Sequence, residues 1–225
     1  MTPKNIEDLQ IKLQQCLSDK NIKSAIDFCE TELQKIPTTD YHKILGKELN
    51  HLIDPLIFWI DTFYNHISKQ IDIEAMYCEM NGFTINPDLW FADLFAFDDY
   101  QGTEDLDWLA DFEYGHCTIL QDPNWTGPPT GILNSFTITS LEELQSKFEW
   151  KMGEDEDGNP NYKKTTIDED NAEELCEHLI VLRLQELFDK AYIKAKASND
   201  YSWANIPIIV TAHDWDMIYE INGNA

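Results

Sequence analysis

Between Gln70 and Ser146 the chain has no lysine and no arginine, yet these 77 residues carry fifteen carboxylates: Asp72, Glu74, Glu79, Asp88, Asp93, Asp98, Asp99, Glu104, Asp105, Asp107, Asp111, Glu113, Asp122, Glu142 and Glu143. A segment so charged joins a compact fold only if its acids stay in water while its apolar residues turn inward, because an unpaired buried carboxylate costs more than a fold can spare. The apolar residues meet that condition, since they fall at strand spacing. Met76, Cys78 and Met80 alternate with Ala75, Tyr77 and Glu79, and Phe91, Asp93, Phe95 and Phe97 alternate with Trp90, Ala92, Leu94 and Ala96. Trp108, Ala110, Phe112 and Tyr114 alternate with Leu109, Asp111 and Glu113. A period of two gives two faces, and in the second run one face is aromatic and includes a carboxylate. Asn81-Gly82 supplies a two-residue hairpin turn, Phe83 to Ile85 the returning strand and Asn86-Pro87 its end. The middle of the chain predicts an antiparallel sheet.

The whole chain of 225 residues sums to a formal charge of −26, of which this segment contributes −15. At 43% hydrophobic and 12% aromatic it has enough apolar material for a core, which excludes a disordered acidic tail. The charge excludes ordinary nucleic-acid binding, which needs a basic footprint. The N-terminus has no apolar signal region, and the most apolar stretch, Leu56 to Ile60, stops at Asp61, too short to span a bilayer. The five cysteines (Cys16, Cys29, Cys78, Cys117 and Cys176) are scattered without CxxC spacing and read as reduced thiols. The expected compartment is the cytoplasm, with no membrane contact.

The first 69 residues change period. Ile6, Leu9, Leu13, Cys16 and Leu17 recur at helical spacing, as do Ile22, Ala25, Ile26, Cys29, Leu33 and Ile36, a series that ends at Pro37. A third series runs from Leu45 to Ile67, with Pro55 marking either a kink or a fresh start capped by Asp54. These helices are expected to cover the sheet. In the C-terminal third, Phe136 to Ile138 is a short strand candidate, and Ser140-Leu-Glu-Glu143 has the form of a capping box that opens a helix. Phe148, Trp150 and Met152 could instead begin a strand, followed by an exposed hairpin from Gly153 to Tyr162. Asp168 begins the strongest helix, with Leu175, Leu179, Leu182, Leu187, Ala191 and Ala195 along it, acids at its start and lysines at its end. Arg183, the only arginine, lies within it and is expected to neutralise a carboxylate of the sheet. Ile206 to Ala212 and Trp215 to Ile221 read as the last strands, with a turn at His213-Asp214. The fold class expected is α+β: one domain over residues 1–225, with a helical layer at 1–69 packed on a sheet-containing body at 70–225, the sheet mainly antiparallel, and a long helix in the C-terminal half.

Catalytic signatures are missing. None of the six histidines pairs at metal-motif spacing, and there is no glycine-rich phosphate loop, GxSxG or dinucleotide fingerprint. His116-Cys117 is the most enzyme-like dipeptide, but neighbours on a strand point to opposite faces. The acids from Asp98 to Asp107 lack a recognisable metal-ligand order. Glu154 to Gly158 fails as a calcium loop, because placing Gly158 at the loop's glycine makes Gly153 the first ligand and Lys164 the last. No cofactor, no metal site and no catalytic residue are assigned.

What remains is Asp98 to Asp107, five carboxylates in ten residues. It reads either as a solvated acidic loop or as a binding surface. Self-repulsion without a compensating cation, together with aromatics interleaved among the acids, fits the second reading: rings act as anchors and acids steer a basic partner. Met80 to Phe83, Asp88 to Phe97, Asp105 to Leu109 and Ser140 to Gln145 resemble, in style, small acidic bacterial proteins, many of which are immunity proteins of toxin systems. The resemblance covers about the middle third of the chain and implies an acidic, aromatic face for a basic toxin and no catalytic apparatus, without assigning site residues. The function expected is an acidic binding protein for a basic protein partner, an immunity protein for a toxin, through Asp98, Asp99, Tyr100, Glu104, Asp105 and Asp107, with Trp108 as an anchor. The alternatives are a carboxylate- or metal-dependent hydrolase or transferase, and a regulator that mimics DNA.

Overall fold

A computed structural model describes residues 3–83, 90–127, 144, 147–148, 152–154, 160–162, 165–215 and 217–221. The chain opens with helices α1 (Pro3–Ser18), α2 (Ile22–Leu33) and α3 (Ile53–Ile67). Strands β1 (Ala75–Met80), β2 (Ala92–Phe97) and β3 (Tyr114–Gly115) follow, then a short helix α4 (His116–Ile119). A hairpin of β4 (Met152–Glu154) and β5 (Pro160–Tyr162) precedes the long helix α5 (Ile167–Ser198), and β6 (Ile208–Ala212) and β7 (Tyr219–Ile221) complete the described fold. The α+β class holds.

The five-stranded sheet has the order β3-β2-β1-β6-β7 and is mixed rather than mainly antiparallel. Its centre is the parallel pair β1–β6, with Met76 opposite Ile208 and Met80 opposite Ala212, flanked by antiparallel pairs. Parallel neighbours require a crossover, and α5 supplies it. Three local expectations change. The two neighbours of β1 are β2 and β6, whereas residues 84 and 85 of the expected returning strand lie outside the described residues; the Asn81 side chain accepts from the Phe91 N–H at 2.6 Å. Asp107 to Ala110 form a 3-10 turn instead of a strand, because the Asp105 carboxylate accepts the Asp107 N–H at 3.0 Å and bends the backbone. His116-Cys117 opens α4 and lies in no strand. Residues 136–138 and 140–143 lie outside the described residues, whereas the expected hairpin is the β4–β5 pair.

Pro55 is the third residue of α3, a fresh start that Leu52 rather than Asp54 precedes as N-cap. Helix α5 begins with a reciprocal capping box, Thr166 Oγ1 accepting from the Glu169 N–H at 3.2 Å and Glu169 from the Thr166 N–H at 3.0 Å. Asn199, at φ 58°, ends it. In mid-helix the consecutive residues Leu179, Ile180, Val181 and Leu182 are all buried, so the helix is enclosed between α2 and α3 on one side and the sheet on the other. Arg183 therefore meets helix carboxylates, Glu30 of α2 and Glu186 of its own helix at 2.9 Å each, and no sheet acid. Gln185, fully buried, donates from Nε2 to the carbonyls of Val210 and Met217 at 3.0 Å and ties α5 to β6 and the approach to β7.

The alternation read from the sequence separates two layers. Met76, Cys78, Met80, Ala92, Leu94 and Ala96 face the helices and join the main core. Ala75, Tyr77, Phe97 and Ile209 form a smaller cluster on the back of the sheet with Trp108, and Phe95, Leu109 and Ile218 pack against it. Phe95 lies between Tyr77 and Phe112, with centroid distances of 5.6 and 4.6 Å. A Cβ on Gly115, its register partner, would stand 3.1 Å from that ring and 3.3 Å from Phe112. Tyr77 and Phe112 flank Phe95 and restrict its retreat. Gly115→Val is therefore expected to cost about 2 kcal/mol in urea unfolding; a wild-type midpoint would show that the ring moves freely.

Candidate partner-binding face

Three antiparallel pairs and one parallel pair set which side chains share the back of the sheet. The register places Phe97 beside Ala75, Phe95 beside Tyr77 and Asp93 beside Glu79, then Tyr77 beside Ile209 and Ile209 beside Glu220. No helix covers this face among the described residues. The segment from Asp98 to Glu113 crosses it instead, and Trp108 is what holds the segment there. Its ring packs edge-on against Phe97 at 4.8 Å and donates from Nε1 to the Gly102 carbonyl at 3.0 Å. At 7% exposure it grips the sheet and presents almost nothing to a partner, so the ring expected to act as a binding anchor anchors the loop.

Gly102, at φ 83°, makes the left-handed turn that brings its carbonyl under the indole. Tyr100 fastens the other side: its hydroxyl donates to the Glu220 carboxylate on β7, and its ring stands edge-on to Trp108 at 5.9 Å. Partial burial and that carboxylate hold the phenol above its usual range, so it stays protonated. Lys20, whose ammonium lies 3.8 Å from Glu220 Oε2, completes the contact. The acids divide into two sets. Asp99 accepts from the Tyr100 N–H at 2.9 Å, Asp105 from the Asp107 N–H at 3.0 Å and Glu113 from the Asp98 N–H at 3.2 Å, so these three shape the loop. Asp98, Glu104, Asp107 and Asp111 are exposed, and their carboxylates have no hydrogen-bond partner among the described residues.

The contrast with the helical side is electrostatic. There several acids have cationic partners: Glu30 and Glu186 with Arg183, Asp40 with Lys43 and Lys147, Asp54 with Lys194. Among the described residues no cation lies within ion-pair distance of any carboxylate from Asp98 to Glu113. Phe112 and Tyr100, both exposed, lie among those acids. No protein family, curated protein or solved structure matches the chain. Its own geometry is therefore what speaks for the site.

The structure brings six of the seven expected residues to the solvent side of one ordered loop and turns the seventh, Trp108, inward. Sequence reasoning missed Glu220, which tethers the loop from 120 residues away, and the couple at the far end of the same face. There His213 Nδ1 lies 2.5 Å from Glu79 Oε1, and Tyr77 donates to Glu79 Oε2 at 2.9 Å. His213-Asp214 is the expected turn, with Asp214 at φ 60°. No spacing in the sequence joins residue 79 to residue 213; the parallel register of β1 and β6 does. Among the described residues no three His, Cys, Asp or Glu side chains converge as metal ligands, and no helix is long and apolar enough to cross a membrane. What the face offers is a field of fixed negative charge around exposed rings, an arrangement that attracts and orients a cationic surface.

Proposed function

We propose that the chain is a binding protein that captures a basic protein partner on the back of its sheet, in the manner of an immunity protein that neutralises a toxin. The observation that carries the reading is the unpaired state of Asp98, Glu104, Asp107 and Asp111 on a loop that Trp108 and Tyr100 hold in place. Unpaired like charges on a rigid support repel one another, and a partner's lysines and arginines relieve that repulsion on contact. The acids set the encounter rate, and Phe112 with the exposed edge of Tyr100 supplies apolar contact that slows dissociation.

Asp99 and Asp105 shape the loop through their own hydrogen bonds, so the discriminating variant is the triple reversal Asp98→Lys, Glu104→Lys and Asp107→Lys. Tagged wild type is expected to retain a basic protein from the native lysate at low salt and to release it as salt rises. The triple variant should associate with the purified partner roughly tenfold more slowly or worse, at unchanged or slightly raised thermal stability. Equal association rates for the two proteins would remove the loop from the interface.

A further inference from the structure

On the helical side of the sheet a cleft of about 680 Å³ opens between α1, the first third of α5 and the turn after β6. Its polar lining from α5 is Glu174, Glu177 and His178, and Asp214 stands at the rim. His178 is 3% exposed, and its Nδ1 lies 2.7 Å from the Glu174 carbonyl oxygen. That contact makes Nδ1 the donor, so Nε2 carries a lone pair, and burial favours the neutral ring. Among the described residues Nε2 has no hydrogen-bond partner. The His178 side chain is buried, and its Nε2 lone pair opens onto the cleft, where a donor that enters can bond to it.

The neighbouring groups ask for the same thing. Glu177 has Glu173 and Glu174 on its own helix, and burial together with these two acids pushes its carboxyl up to about 8. The groups facing it from the other elements are Asp214 and the amides Gln14 and Gln15 of α1; Tyr41, near Glu173, donates its hydroxyl to the Lys147 carbonyl at 3.4 Å. None is a cation. Trp215 stands edge-on to His178 with centroids 4.7 Å apart, and with Ile11 and Met217 it gives the cleft an apolar wall. A ring nitrogen open to the cleft, two carboxyl groups with no cation beside them among the described residues, and an indole next to them fit one kind of ligand: a cation that donates hydrogen bonds and carries a short aliphatic body.

We propose that this cleft binds an organic cation, an alkylammonium or guanidinium group on an aliphatic stem, with Glu174 and Glu177 balancing its charge and His178 Nε2 accepting one of its N–H groups. The group comes either from a free amine or from a lysine or arginine side chain of a protein, and the probes separate the two sources.

The test is calorimetric titration of the full chain with 1,4-diaminobutane, with agmatine and with the peptide acetyl-Gly-Arg-Gly-amide, at pH 7 and pH 9. Saturable one-to-one binding is expected, tightening about tenfold between these pH values as Glu177 gives up its proton, with proton release to buffer at pH 7. Glu177→Gln, the neutral isostere of the form that prevails at pH 7, should fold normally and abolish the tightening. The triple reversal on the sheet face should bind the probes as wild type does, which separates this cleft from general attraction to an acidic protein and from the fate of the proposed function. Preference for the free amines assigns a small molecule; preference for the peptide assigns a protein side chain. No saturable heat with any probe at either pH, or equal binding and pH dependence in Glu177→Gln, overturns the proposal.

Discussion

Trp108→Ala should lower the free energy of unfolding by about 4 kcal/mol, the range for a buried large aromatic, and should abolish partner capture as well. The indole fills the gap between loop and sheet, against Phe97, Ala75 and Ile209, and its Nε1 bond to Gly102 fixes the turn on which the acids stand. Removing it strips the largest apolar side chain from the cover of the back of the sheet and leaves Leu109 and Ile218 as the remaining contacts outside the strands. Trp108→Phe keeps most of the packing and loses the bond, so its cost should be nearer 1 kcal/mol, with capture weakened rather than lost. Urea unfolding of both variants, beside the capture assay, checks the pair. A wild-type midpoint for Trp108→Ala would mean that the loop does not support the sheet.

The second large effect concerns pH. Glu177 titrates near 8 in the folded chain against an ordinary value of 4.5, so the folded state keeps a proton that the unfolded chain releases. Below about 4.5 the residue is neutral in both states and costs nothing. From there to about 8 its contribution to stability falls continuously, and above 8 the full penalty of a buried charge is in place. At about 1.4 kcal/mol per unit of difference, the loss is about 5 kcal/mol. Glu186 and Asp40, whose cationic neighbours hold them below their usual range, work in the opposite direction, so whole-protein stability does not isolate the effect. The difference between Glu177→Gln and wild type does. It should be near zero at pH 5 and should widen in favour of the variant up to pH 9 in urea titrations. A constant difference across that range would place Glu177 in water.

The alternation from Ala75 to Met80 and from Trp90 to Phe97 was legible because each strand has one face in a thick core and one under a thin cover, which is the condition under which period two becomes visible. The helices were legible for the same reason, and Pro55 marked a start because proline fits a first turn. The parallel centre of the sheet was not. Register between β1 and β6 follows from how α5 lays the chain back, and no local pattern carries it. Trp108 illustrates a subtler failure: Trp108, Ala110 and Phe112 alternate as a strand would, but the aspartates before them favour a turn, and a period of two over so few residues does not outweigh turn chemistry. Within the candidate site, the acids were visible as composition. Their division into loop-shaping and unpaired sets depends on which N–H each carboxylate meets. Glu177 and His178 lay hidden on the flank of the leucine stripe of α5, where their chemistry depends on α1 closing over them.

The pairing of β1 with β6 also bears on how the chain is made. Met76 and its partner Ile208 are separated by 132 positions, so at ordinary synthesis rates of about 5–20 residues per second the inner edge of β1 waits roughly ten seconds for its neighbour. An open strand edge is a template for a second copy of the same chain. Through that interval β1 and β2 lie within the segment free of lysine and arginine, preceded only by a helical part whose charge is nearly balanced, and two nascent chains that approached edge to edge would bring fifteen carboxylates against fifteen. Charge that looks costly in the finished molecule would then have its use earlier, holding each nascent chain apart from its copies until α5 delivers the strand that closes the sheet.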